Sequence, residues 1–181
     1  MDPTIALAFL GVWMEAVNVA ANMPEAVAPI DVLTGCDGYN EKTLITLADN
    51  PKSWSDAWLA YKVGPVIGNG SIATTSSDAP PVVDFDHNFV VVVFGPAGSV
   101  SGYQVADSFK KNKEIHLRLR TTQLGQTGSA ISLRVYPYGF FVFRRTKLPI
   151  DVEFPVTDSN GNESWQAVAK LTPPKPADGG Q

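Results

Sequence analysis

The chain has 181 residues, of which 44% are hydrophobic and 18% charged, with a formal net charge of −4. That is one domain's worth of core-forming material with tails, too apolar for a disordered chain and too acidic overall to hold a phosphate backbone, so nucleic acid is not expected as a partner. A single cysteine, Cys36, excludes an internal disulfide and any multi-cysteine zinc site, and no apolar run reaches the roughly 18 residues that would span a bilayer.

Residues 1–28 read as a leader or an N-terminal helix, with Pro24 and Pro29 marking the end. Thr4–Met14 is apolar and long enough for the hydrophobic region of an export signal, and Val19-Ala20-Ala21 would serve as a cleavage site. Against that, Asp2 is the only charge before the apolar run, so a basic leader segment is missing, and an amphipathic helix packed on the domain remains the other reading. Leu33-Thr34-Gly35-Cys36 has the form of a lipidation motif. Such a motif must directly follow an apolar membrane segment, whereas Glu25 and Asp31 intervene here, and inserting a carboxylate costs about 2.5–3.5 kcal/mol. Cys36 is therefore expected to be a small residue in a loop.

The domain is expected over 30–172. Ile30–Leu33 predicts a short strand, Gly35–Asn40 a turn cluster, and Leu44–Leu47 another strand. Asn50 is a fitting N-cap and Pro51 a fitting first residue for a helix whose Trp54, Ala57, Trp58 and Tyr61 share one face, and Gly64-Pro65 ends it. Residues 64–81 read as a surface loop. Phe89–Phe94 is a continuous apolar run, which predicts a strand covered on both faces. Gly102–Phe109 is a strand, and Lys110–Lys113 a turn. Glu114–Arg120 alternates strictly, with Ile115, Leu117 and Leu119 on one side and His116, Arg118 and Arg120 on the other. Gln123–Ser129 is a connection. Ile131, Leu133 and Val135 alternate with Ser132, Arg134 and Tyr136, and Phe140–Arg145 and Ile150–Val156 complete the strands. Residues 173–181 have the composition of a disordered tail. The fold class is α+β, mostly β: an antiparallel sheet or small sandwich with one helix packed on it.

Little in the chain points to catalysis. Asp84, Asp86 and His87 are the one sequence cluster that could hold a hard metal ion, but the ligand count falls short of a zinc site and the pattern is not that of a calcium loop. Turn formation before the strand explains these aspartates better. There is no Gly-x-Ser-x-Gly nucleophile elbow, no phosphate-binding glycine loop and no dinucleotide fingerprint. Cys36 would act as a nucleophile only beside His87 or His116. No catalytic residue, metal or cofactor is expected.

Two surfaces are candidates for binding. If their strands are neighbours, His116, Arg118, Arg120, Arg134, Arg144, Arg145 and Lys147 converge into a basic patch that would steer an acidic partner, the alternative being an ordinary solvated sheet face. A pocket between Trp54 and Trp58 on the helix and Phe89, Phe94 and Phe141 on the sheet would instead make the protein a small-ligand carrier.

Trp54 and Trp58 on the helix, Asp84-Phe85 before the central strand, Gly102-Tyr103, and Tyr136-Pro137-Tyr138 follow one another in an order that resembles the C-terminal domain of the PrcB family, named for an accessory subunit of an extracellular protease complex. The resemblance covers about residues 43–147; the loop at 64–81 and the strand and Trp165 beyond 147 depart from it. It implies an exported (periplasmic or extracellular), non-catalytic bacterial domain that binds another protein, a secreted protease in particular. The family has no agreed catalytic residues to carry over. The residues expected to carry binding are Tyr103, Arg118, Arg120 and Arg134.

Overall fold

Asn88–Phe94 lies at the centre of the molecule, and its alternate side chains serve two different cores. The computed structural model describes residues 24–38, 42–62, 79–123 and 135–174. The leader over 1–23, most of the loop after the helix, the strand begun by Ile131 together with Arg134, and the tail beyond 174 lie outside the described residues.

In chain order the elements are β1 (Glu25–Ala26), β2 (Asp31–Gly35), β3 (Leu44–Ala48), α1 (Pro51–Lys62), β4 (Asn88–Phe94), β5 (Val100–Lys111), β6 (Glu114–Gln123), β7 (Tyr138–Arg144), β8 (Ile150–Thr157) and β9 (Glu163–Leu171). They form two sheets, β1-β5-β6-β8-β9 and β2-β7-β4-β3. Every pairing is antiparallel except β6 with β8, which run parallel with His116 opposite Asp151 and Arg118 opposite Glu153. The protein is thus mostly β with one helix. No helix among the described residues is long and apolar enough to cross a membrane.

Between the sheets, Phe89, Val91 and Val93 of β4 and Phe141 and Phe143 of β7 meet Tyr103, Ile115, Leu117, Leu119, Ile150 and Val152 of the five-stranded sheet. On the opposite face of the smaller sheet, Val90, Val92, Phe94, Tyr138 and Phe140 are covered by Trp54, Ala57 and Tyr61 of α1. A strand buried on both faces needs apolar residues at every position, which is why β4 shows no alternation. The helix starts as its sequence predicts: Ser53 N–H donates to Asn50 Oδ1 (2.9 Å), and the Asp49 and Asn50 N–H groups donate back to Ser53 Oγ (3.1 and 3.2 Å). This reciprocal cap satisfies donors that the first helical turn leaves unpaired. The β5–β6 turn is tighter than expected, a two-residue loop of Asn112 and Lys113 with φ of 53° and 63°, the backbone of a type I′ hairpin.

Three boundaries differ from the sequence expectation. Glu25 and Ala26, grouped above with the leader, form a strand that pairs with Lys110 and Phe109. Pro173, grouped with the tail, is buried. Glu163–Leu171 is a full strand on the edge of the larger sheet that no period-two alternation announces. The reason for the last is a β-bulge: the register steps from Val152–Ala169 to Glu153–Ala167, leaving Val168 as the extra residue and reversing which side chains face inward.

Candidate functional site

The outer face of the five-stranded sheet carries a cluster of charged and aromatic side chains whose assembly depends on two such bulges. In β5 the register steps from Val105–Leu119 to Asp107–Arg118, so Ala106 is the extra residue. Tyr103 and Val105 therefore belong to the inter-sheet core, while Asp107 and Phe109 turn to the outer face. In β9 the bulge at Val168 lets Ala169 and Leu171 pack inward while Trp165 joins the outer face. An extra residue re-aims the side chains beyond it, and here both re-aimed strands converge on β6.

The Arg118 guanidinium is the focus. It lies over Phe109 on one side (4.8 Å to the centroid) and Trp165 on the other (5.2 Å), and Arg120 lies over the same tryptophan at 5.0 Å. Arg118 Nε donates to Glu153 Oε2 (2.9 Å), and the other oxygen of that carboxylate sits 2.6 Å from His116 Nδ1. Glu153 is only 7% exposed. Burial pushes its carboxyl up, but the Arg118 and His116 bonds outweigh that and hold it below the usual range. Arg120 makes a two-pronged ion pair with Glu163, which lowers the Glu163 carboxyl. The imidazole of His116 stacks on Phe109 (5.1 Å, 13°).

The expected basic patch is therefore a mixed-charge face, because His116, Arg118 and Arg120 each have a carboxylate from another strand. Arg144 and Arg145 do not join it: β7 belongs to the other sheet, and Arg145 donates to the Phe85 and Asp49 carbonyls (2.6 and 2.8 Å). Arg134 lies outside the described residues. Tyr103 is 5% exposed, with its phenol pushed up to about 12 by burial, so it belongs to the packing between the sheets and has no surface to offer a docking partner.

The expected ligand pocket has its residues on two sides of one sheet: Phe94 faces the helix, whereas Phe89 and Phe141 face the other sheet. On the helix side the described rings pack against one another. Phe140 is in ring contact with Trp54 (4.9 Å), Tyr138 (5.4 Å), Trp58, Tyr61 and Phe94. Tyr61 Oη lies 3.2 Å from both Asp37 carboxylate oxygens and 3.4 Å from Tyr138 Oη.

The cluster of Asp84, Asp86 and His87 works as a turn. Asp84 accepts the Asp86 N–H on Oδ1 (3.0 Å), lies 2.8 Å from His87 Nδ1, and accepts the Asn88 N–H on its carbonyl (2.9 Å). The His87 bond lowers the Asp84 carboxyl. The metal-compatible group among the described residues lies elsewhere: Glu114, His116 and Asp151 bring one ligand atom each to within 4.8 Å of one another. Sequence reasoning misses it because Asp151 comes from a strand that pairs with β6 only after the chain has visited the other sheet. Cys36 is half-buried beyond β2, while each imidazole is held by its own carboxylate, His116 by Glu153 and His87 by Asp84.

A second exposed feature is the edge strand β2 with the residue that precedes it: Ile30, Val32 and Leu33 are 52%, 41% and 39% exposed. The Asp31 carboxylate accepts the Val32 N–H (2.8 Å) and places a charge on that edge.

No family model, no curated protein and no solved structure matches this chain.

Proposed function

We propose that this chain is a non-catalytic protein-binding domain, exported to the bacterial cell envelope, which associates with a protease. The observation that carries the binding reading is the ordered stack of Phe109, Arg118, Trp165 and Arg120 on the outer face of the five-stranded sheet. Tryptophan and arginine dominate the energetics of protein interfaces, and side chains already held by Glu153 and Glu163 lose little freedom on docking. Because the cations are paired, recognition rests on shape and on aromatic and guanidinium contacts rather than on long-range attraction of an acidic partner. The protease as partner and the envelope as location rest on the PrcB-like order of Trp54, Trp58, Asp84-Phe85, Gly102-Tyr103 and Tyr136-Pro137-Tyr138.

The test is affinity capture from the native host with the full chain as bait, read by mass spectrometry, in three forms: unaltered, Arg120→Glu with Trp165→Ala, and Val32→Asp with Leu33→Asp. Enrichment of a secreted protease by the unaltered chain, and its loss in the Arg120/Trp165 variant alone, supports the reading. Loss only in the Val32/Leu33 variant moves the interface to the β2 edge, and recovery of partners that include no protease removes that partner class.

A further inference from the structure

We propose that Glu114, His116 and Asp151 form a binding site for a divalent transition-metal ion of the zinc class, beside the arginine–tryptophan stack, with which it shares Phe109 and Glu153. The register of the parallel pair builds it. His116 of β6 lies directly opposite Asp151 of β8, and Glu114, two residues earlier on β6, projects from the same face. All three residues are half-buried, so their carboxylate and imidazole groups are reachable from solvent yet backed by the sheet.

Three observations point to a metal rather than to a casual cluster of charges. The first is the orientation of the imidazole. Its Nδ1 is held at 2.6 Å by Glu153, a carboxylate fixed in turn by Arg118 and almost wholly buried, so Nε2 is the ring nitrogen left for a ligand. A carboxylate behind a ligating histidine sets its tautomer and raises its basicity. The second is the stacking of Phe109 on the ring, which fixes its plane. The third is a cation already drawn to the site: Lys170 of β9 forms an ion pair with Glu114, and its Nζ lies 3.8 Å from Asp151. Its side chain is 54% exposed on an edge strand and can swing into solvent, so a metal ion displaces it without moving a strand.

Zinc bonds of about 2.0–2.2 Å in tetrahedral arrangement place ligand atoms about 3.4 Å apart, which rotation of the side chains reaches from the present spacing. One imidazole and two carboxylates suit zinc, cobalt or manganese better than calcium, which takes six to eight oxygens. Three protein ligands leave a fourth position for water or for a side chain of a docked partner.

The experiment is a calorimetric titration of the chelator-treated full chain with Zn2+ near pH 7, with the two imidazoles followed by NMR and Co2+ used as a spectroscopic stand-in. The expected result is one equivalent bound, with the His116 resonances displaced and those of His87 unmoved. His116→Gln should lose at least tenfold in affinity, His87→Gln should lose nothing, and Lys170→Met should bind several-fold more tightly because the competing ammonium is gone. If His116→Gln fails to fold, the NMR of the unaltered chain and the Lys170→Met comparison decide alone. The proposal is overturned by absence of stoichiometric binding, by displacement of His87 instead of His116, or by a Lys170→Met variant that binds no more tightly.

Discussion

The Thr34 hydroxyl accepts the Tyr103 backbone N–H at 2.7 Å and donates to the Tyr138 carbonyl at 2.9 Å, so a single side-chain oxygen ties β5 of one sheet to β2 and β7 of the other. The two sheets approach here because Gly102 has no side chain: a Cβ on it would meet Thr34 Oγ1 at 2.6 Å and the Gly35 nitrogen at 3.0 Å. Gly102 and Tyr103 thus have a physical task in this chain, which is to bring the sheets together at that corner.

Replacing Thr34 by valine keeps the shape and removes both bonds. The Tyr103 N–H then lacks its partner, and a loss of about 1–2 kcal/mol is expected, while Thr34→Ser should lose much less. Urea unfolding of the two variants checks this; equal losses would mean that the hydroxyl is not what matters.

Gly102→Ala should be the more damaging change. Gly102 has φ of +140°, a region that side chains rarely adopt, and the added carbon collides with backbone as well as with the threonine. About 1–3 kcal/mol of destabilisation is expected from the strain, seen as a lower thermal midpoint.

Glu153→Ala removes the carboxylate shared by Arg118 and His116 and leaves both without it on the outer face. Full burial would make this a 3–5 kcal/mol loss, but the Arg118 side chain is 29% exposed and recovers some hydration, so about 1–3 kcal/mol is expected. Glu153→Gln should fall between. A near-neutral alanine variant would show that the ion pairs contribute little to stability.

Alkali should destabilise the fold before it ionises the buried tyrosines. Burial pushes the Tyr103 phenol up to about 12, and burial together with the bond to Tyr61 raises Tyr138 as well. A group whose folded value is raised contributes fully below its unfolded value, near 10, and that contribution is lost as pH rises from there through the folded value. The urea midpoint should therefore fall from about pH 10 upward, and less steeply in Tyr103→Phe. Tyrosinate absorbance should show a late phase that Tyr103→Phe diminishes.

Much of the architecture is legible along the chain because its signals are local. Asn50 and Ser53 sit within one turn of each other, so the helix start can be read directly. The apolar run of β4 announces burial on both faces, and the alternation of β6 assigns Ile115, Leu117 and Leu119 to the core. Where a bulge intervenes the local rule fails. A strict period of two would place Asp107 and Phe109 on the inner side with Tyr103, and only the extra Ala106 turns them outward.

The candidate site was half visible. His116, Arg118 and Arg120 can be placed on one polar face from their spacing, but their partners cannot: Glu153, Asp151, Glu163 and Trp165 come from β8 and β9, after the chain has left for the other sheet at β7 and returned. The sequence by itself determined the mostly-β character, the one capped helix and the apolar faces, since these follow from hydrophobic period and backbone preference over a few residues. The tertiary structure alone decided that Arg118 and Arg120 are paired, that Tyr103 is core, that the rings of the helix pack on Phe140, and that Glu114, His116 and Asp151 meet. Each of these depends on which strand lies beside which, and strand neighbourhood is settled by long-range packing that no local pattern records.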